Sequence, residues 1–211
     1  MGKKIAQIVL AIVIVGLVYV IYGQISTPIG YDKELKQKKA QVIERIKDIR
    51  TAQRSYKSKY DRFTGSFDTL IDFVLNDTLE LERKIVDEDD SVAMAMLKKM
   101  GKKNIEKFKI AVIDTIFSPR KLTKTDIENL RFIPGTQNTE YIMEAGTIAT
   151  ESKVVIPVVE VRAPYKMFLD TVKYKQEIIN QIDDDVNNFH RYPGVKFGSM
   201  ETGNNEAGNW E

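Results

Sequence analysis

Hydrophobic positions divide the chain into an unbroken apolar run, an amphipathic stretch and a mixed remainder. The apolar run covers residues 5–22, and Gln7 is its only strongly polar side chain. About eighteen residues at ~1.5 Å each give a rod of roughly 27 Å, close to the hydrocarbon thickness of a bilayer. Because a backbone in lipid must satisfy its own hydrogen bonds, we predict a transmembrane helix within residues 1–25. The predicted anchor residues are Ile5, Ile8, Val9, Leu10, Ile12, Val13, Ile14, Leu17, Tyr19 and Tyr22.

Flanking residues predict that this helix stays in the membrane. Lys3 and Lys4 precede it, and Tyr19, Tyr22 and Gln24 lie at its far end, as is typical of residues at a bilayer interface. A cleaved signal peptide is the alternative, but the run is longer than a usual signal core and no small-x-small cleavage site follows it. We therefore expect membrane lipid to be one partner of this chain.

Charges around the helix favour two opposite orientations. A short basic head before an apolar run is typical of a signal anchor whose N-terminus stays in the cytoplasm. Beyond the run lie Lys33, Lys36, Lys38 and Lys39, and a simple count of bases would favour the reverse. Long domains translocate largely regardless of charge. We therefore expect an inner (cytoplasmic) membrane location with the C-terminal domain in the periplasm.

Residues 26–64 are predicted to form a linker followed by a second helix. Pro28 removes a backbone donor and restricts the residue before it, and Gly30 loosens the next position, so a break between the two helices is expected here. Asp32 is a suitable N-cap for a helix over residues 33–60.

The second helix has an apolar seam with spacings of seven, four and three residues, interrupted by Lys39 and Gln53. This pattern fits a coiled coil that pairs with a protein partner or a second copy of the chain. It also fits an amphipathic helix packed on its own domain, which the two polar interruptions favour. The predicted pairing positions are Leu35, Val42, Ile46, Ile49, Tyr56 and Tyr60.

Residues 65–200 are predicted to form a small α+β domain, in which helices pack a small antiparallel sheet. Helical spacing and caps predict helices over 67–76, 91–100 and 171–190, with Met94, Met96 and Met100 filling gaps in the core. Runs rich in β-branched residues predict strands over 108–117, 139–149, 153–162 and 195–200, the middle two as an antiparallel pair. Residues 78–86 fit a strand or a helix. In the polar tail, 201–211, Trp210 indicates docking onto the domain.

Composition and motifs predict no catalytic, metal or cofactor site. The formal net charge is +2 with acids and bases mixed, which argues against a nucleic-acid surface. The chain has no cysteine and one histidine, His190, which is explained by its place at a predicted helix end. The acidic run at residues 87–90 lacks the ligand spacing and glycine of a calcium loop. Carboxylates are abundant, so a carboxylate enzyme stays an alternative.

Residues 49–64, IRTAQRSYKSKYDRFT, resemble the helix segment of type IV pilins and type II secretion pseudopilins. In that family a membrane helix runs into an amphipathic helix that contains Ile-Arg-Thr-Ala-Gln, then Tyr, then a short Gly/aromatic/Thr turn. The resemblance implies a pilin-like α+β domain and a role in a secretion or pilus machine. The matching positions are Ile49, Arg50, Thr51, Ala52, Gln53, Tyr56, Tyr60, Phe63 and Thr64.

The sequence also departs from pilins. Gly2 is followed by Lys3 and Lys4 instead of the family's aromatic-Thr-Leu-Ile-Glu start, and no glutamate lies early in the apolar run. The domain order also resembles bitopic assembly-platform proteins of these machines, and segments 52–67 and 192–211 resemble single-pass envelope proteins of Bacteroidota.

Taken together, these features predict a single-pass inner-membrane scaffold without enzymatic activity or cofactor. Its periplasmic domain is expected to bind protein partners of a secretion or pilus-like machine. A pilin-like filament subunit and a membrane-tethered cell-wall enzyme or regulator are the alternatives.

Overall fold

A computed structural model describes residues 2–87 and 89–211 as a mixed helical and β structure. One long N-terminal helix leads into shorter helices and two small antiparallel sheets. The helices are α1 Gly2–Tyr60, α2 Phe67–Asn76, α3 Ser91–Lys99, α4 Val112–Ile116, α5 Lys124–Glu128, α6 Tyr165–Phe168 and α7 Lys175–Asp183, with a 3₁₀ turn Asn129–Arg131 and a π-helical turn Asp184–Asn188. The strands are β1 Thr78–Lys84, β2 Ile105–Ala111, β3 Ile142–Ala149, β4 Val155–Pro164 and β5 Gly194–Gly198.

Helix α1 runs through Pro28 without a break, so the predicted separation into two helices is wrong. Proline removes one N–H, the one that would bond to the carbonyl of Gln24, and its neighbours remain helical on both sides. The hydroxyl of Thr27 donates to the Gly23 carbonyl at 2.8 Å and that of Ser26 to the same oxygen at 3.4 Å. The α1 rod of 59 residues is about 88 Å long.

The second half of α1 is the central helix of the domain. Its inward face contributes Val42, Ile46 and Ile49, each fully buried. Helix α2 packs against it, held at its start by Ser66, whose hydroxyl accepts from the N–H of Thr69. Helix α1 ends at Tyr60, and the next residue, Asp61, adopts a left-handed conformation with φ +55°. This turns the chain back towards α2.

The larger sheet has the order β3–β4–β5, and both pairings are antiparallel. This confirms the predicted pair of strands at 139–149 and 153–162. Strand β4 is central only where β5 pairs with it, from Glu160 to Pro164. Pro157 lies outside that stretch and opposite Thr147 on β3, so β4 is an edge at the proline.

The smaller sheet pairs β1 with β2, with Thr78 opposite Ala111 and Lys84 opposite Ile105. Residues 78–84 are therefore a strand, which settles the ambiguity left by the sequence. The strand predicted over 108–117 ends at Ala111, because β1 begins at its partner Thr78 and offers no pairing beyond it. The chain continues as α4, whose first N–H, on Val112, donates to the Asp77 carbonyl at 3.0 Å.

Two further predicted elements differ in extent. The helix expected over 171–190 begins only at Lys175, because the side chain of Asp170 holds the preceding residues in a separate turn. At its other end it continues into a π-helical turn. The strand expected over 195–200 stops at Gly198, which has φ +74° and lies against the Val159 carbonyl, where a Cβ would clash at 1.9 Å.

Candidate functional site

The first half of α1 is an apolar rod with exposed side chains. Within the described residues, it is the one helix long and apolar enough to cross a membrane. Large exposed apolar side chains extend from Ile8 to Ile29, beyond the predicted end at Tyr22, and Tyr31 is the first buried residue. The described anchor residues Ile8, Val9, Leu10, Ile12, Val13, Ile14, Leu17, Tyr19 and Tyr22 are all exposed, and the side chain of Ile5 lies outside the described part of the structure. The domain thus begins directly where the apolar rod ends.

A buried polar cluster joins α1 to the C-terminal helices at this point. Tyr31 packs on Tyr174 with ring centroids 5.6 Å apart, and burial, assisted by nearby acids, raises the pKa of Tyr31 to about 12. Tyr165 donates to the buried carboxylate of Asp185 at 2.9 Å. Gln181 donates to its other oxygen at 3.3 Å. The cluster packs the domain against α1 directly after the apolar rod ends.

The predicted pairing positions lie mostly in the chain's own core. Val42, Ile46, Ile49 and Tyr56 are buried. Leu35 is partly buried against the same core, and Tyr60 is partly exposed. Of the two structures that the heptad pattern fits, the structure has the amphipathic helix packed on its own domain. In this conformation the four buried side chains pack within the chain's own domain.

The segment that resembles pilins forms the end of α1 and the turn after it. Gln53 is fully buried, and its amide nitrogen donates to the Thr64 carbonyl at 2.6 Å while its carbonyl oxygen accepts from the Thr64 N–H at 3.2 Å. Tyr56 and Phe63 are buried beside it. These residues therefore have a structural role: they fold the chain back at the end of the long helix.

The C-terminal tail docks on α1 and β5, as Trp210 predicted. The Arg50 guanidinium lies 5.5 Å from the Trp210 ring centroid and donates to the Glu211 carboxylate at 2.6 Å. Glu206 is buried and accepts from Arg54 at 3.2 Å. The Arg50 pair holds the pKa of the Glu211 carboxyl below its usual range. Sequence alone offered no signal for the partners on α1.

An arm made of β1, α3 and β2 extends from the end of α1. Its base is fixed by Asp77, whose carboxylate accepts from Lys59 and, at 2.7 Å, from the Tyr60 hydroxyl. These hydrogen bonds lower the pKa of Asp77 to about 2. At the other end, the Asn104 side chain bonds to both the N–H and the carbonyl of Val86, at 2.9 and 2.8 Å, and closes the loop that contains α3.

Helix α3 exposes an apolar stripe on this arm. Val92, Met96 and Met100 follow one another at four-residue spacing and are 66%, 59% and 67% exposed, so the prediction that Met96 and Met100 fill the core is wrong. Leu97, next to this stripe on the helix, is buried. A groove of about 390 Å³ beside it is lined by Met94, Ala95, Leu97, Lys98, Lys102 and Asn104.

Four exposed lysines surround the stripe: Lys98, Lys99, Lys102 and Lys103. Within residues 2–87 and 89–211 none of the four is in an ion pair, whereas the strands below pair Arg83 with Glu106 and Lys107 with Glu82. The arm therefore has an apolar stripe with lysines at its C-terminal end, whereas the exposed acids Asp87, Asp89 and Asp90 precede its N-terminal end. We call the stripe and these four lysines the arm surface.

The described residues contain no cluster of three or more histidine or acidic side chains that could hold a metal ion. Comparison of the chain with protein-family models, with curated proteins and with solved structures gives no match.

Proposed function

We propose that this chain is a single-pass scaffold protein of the inner membrane. Its apolar rod anchors it, its domain stands in the periplasm, and it binds a protein partner of an envelope-spanning assembly. The observation that supports this most is the continuity of α1, whose exposed apolar half and buried half form one helix. A chain built this way holds a folded domain at a fixed place over a membrane.

The partner surface that fits this role best is the arm surface. Its base lies beside Lys59, about thirty residues or roughly 45 Å beyond Ile29 along α1. Seven-residue strands reach only about 23 Å, so the arm surface stays clear of the anchoring bilayer when α1 crosses it upright. Unpaired lysines around apolar side chains suit an acidic, amphipathic segment of another protein. Tethering in the membrane raises the effective concentration of the two partners.

Anchoring and orientation are tested with single cysteines in this cysteine-free chain. Lys3→Cys and Glu151→Cys are treated with a membrane-impermeant maleimide in spheroplasts. We expect the protein to resist extraction by alkaline carbonate, Glu151→Cys to react at once, and Lys3→Cys to react only after lysis. The reverse labelling would contradict a periplasmic domain, and release by carbonate would contradict the anchor.

Partner binding is tested with a photo-crosslinking amino acid at Met96 and, as a control, at Glu151 on the exposed β3–β4 hairpin. We expect a discrete adduct from Met96 alone. Replacing Lys98, Lys99, Lys102 and Lys103 by glutamate should remove it, because the partner is acidic. An adduct that persists after charge reversal, or that consists of two copies of this chain, would contradict an acidic partner protein.

A further inference from the structure

We infer that the turn 170–174 rests in the headgroup layer of the bilayer that holds α1, with Val172 entering the lipid and nearby lysines facing anionic headgroups. This inference rests on the proposed membrane anchoring and adds a second membrane contact to it. The domain would then sit directly on the membrane surface, held at two points.

Contacts with α1 place this turn at the C-terminal end of the apolar rod. Tyr174, the last residue of the turn, is buried and packs on Tyr31. Its hydroxyl lies against Gly30, where a Cβ would be only 3.1 Å away. The turn therefore lies beside the first residues after Ile29, the last exposed apolar side chain of the rod.

The length of the exposed apolar run sets the level of the membrane. From Ile8 to Ile29 the helix rises about 32 Å, which matches a hydrocarbon core of about 30 Å. The hydroxyls of Ser26 and Thr27, near the end of this run, bond to the helix backbone, as suits a polar side chain at the edge of lipid. With the core ending near Ile29, the turn lies within the headgroup layer, which is roughly 5–8 Å thick.

The turn holds Val172 outwards. The carboxylate of Asp170 accepts from the N–H groups of Val172 and Lys173 at 3.0 and 2.9 Å, and the Tyr174 N–H donates to the Asp170 carbonyl at 3.0 Å. Val172 is 90% exposed as a result. A lone exposed valine is ordinary on a protein surface. At the level of a bilayer, however, it has an apolar environment to enter.

Exposed basic side chains lie close in sequence to the turn and to the residues of α1 that contact it. Three are on the C-terminal segments, Lys166, Lys173 and Lys175, and two are on α1, Lys33 and Lys36, all exposed. The acids of this region include Asp32, Glu34, Asp170 and Glu177. Glu34 pairs with Lys38 at 2.8 Å, and Asp170 accepts from the backbone of the turn. Lysines next to a membrane surface are attracted to anionic lipids.

The test uses single-cysteine variants that are labelled with an environment-sensitive NBD fluorophore in lipid nanodiscs. Val172→Cys is compared with Val9→Cys in the rod and Val92→Cys on α3, both exposed valines. The discs contain phosphatidylcholine and phosphatidylglycerol at 3:1, with nitroxide-labelled lipids as quenchers. We expect at least twofold quenching and a blue shift at Val172, strongest with a shallow nitroxide. Val9, near the other end of the apolar run, should also be quenched, and Val92 should not.

Two results would overturn the inference in different ways. If Val9 is quenched but Val172 emits like Val92, the anchor stands and the second contact does not exist. If Val9 is not quenched, the anchoring fails as well, and the inference fails with it. A Lys173→Glu, Lys175→Glu background should lower quenching at Val172 in the anionic discs more than in pure phosphatidylcholine. An equal effect in both would contradict the role assigned to the lysines.

Discussion

Gln53 illustrates what a single residue contributes that a sequence pattern cannot show. In the heptad it is a polar interruption of an apolar seam. In the structure it is fully buried, and its side-chain amide bonds to both backbone groups of Thr64, eleven residues later. A buried backbone group without a partner is costly, so Gln53 is required where the loop crosses the core.

Gln53→Met should therefore destabilise the protein although methionine matches glutamine in length. Methionine cannot bond to Thr64, and two buried backbone groups would lose their partner at about 1–3 kcal/mol each. We expect a loss of about 2–4 kcal/mol, measured as a lower midpoint of thermal or chemical unfolding in detergent. Gln41→Met, on the exposed face of the same helix, is the matched control and should change stability by less than about 0.5 kcal/mol. Equal midpoints for the two variants would contradict the assigned role.

The predicted pairing residues also show that a sequence pattern does not specify what a side chain contacts. The spacing of Val42, Ile46 and Ile49 predicts one apolar stripe, and all three side chains are buried on the same face of α1. What covers the stripe could not be read from spacing, because a heptad seam and the buried face of a domain helix have the same period. The residues that cover it, such as Leu130 and Phe197, come from distant parts of the chain.

Among the elements, those bounded by local signals were predicted best. The start of α2 at Ser66 and the capping of α3 by Asp90 follow from single side chains. Elements bounded by long-range pairing were not: β2 stops at Ala111 because its partner strand begins at Thr78. Helix α1 continues through Pro28 because the proline removes only one of the many backbone hydrogen bonds along the helix. The exposure of Met96 and Met100 depends on how the arm folds, which no local pattern specified.

The base of the arm gives a prediction with a pH dependence. Asp77 joins the end of α1 to β1 by accepting from Lys59 and Tyr60, and these bonds lower its pKa to about 2. An acid whose pKa is depressed by folding stabilises the protein above its unfolded pKa, near 4, and loses this contribution as the pH falls towards 2. Because Asp77 is partly exposed, we expect Asp77→Asn to lose only about 1 kcal/mol at pH 7.

Unfolding of wild type and Asp77→Asn should therefore be compared from pH 7 down to pH 2. The difference in stability should shrink below pH 4 and be mostly lost at pH 2, because the folded wild-type carboxylate is then about half protonated. Glu151→Gln, on the exposed β3–β4 hairpin, is the control for loss of a surface charge at pH 7. A difference that stays constant over the whole pH range would show that the Asp77 carboxylate does not act through its charge.

At the scale of the whole molecule, α1 has two halves of different character. Its first half exposes apolar side chains, and its second half is the central helix of the domain. The tail closes over that helix through Arg50, Arg54 and Trp210, so the C-terminus is fastened to the same rod. A domain attached in this way should follow the motion of its anchor and not tumble on a flexible linker.

Insertions between Ile29 and Gly30, at the end of the exposed apolar run, test this coupling. Four glycines should interrupt the helix, because glycine favours the unfolded chain, whereas four alanines should continue it. With a fluorophore on Glu151→Cys in nanodiscs, we expect a fast component of the anisotropy decay in the glycine variant only. The unfolding midpoint of the domain should be the same in both, since the insertion lies outside the core. If the wild type already has a fast component as large as that of the glycine variant, α1 does not couple the domain to the membrane, and a fixed standoff for the arm surface is excluded.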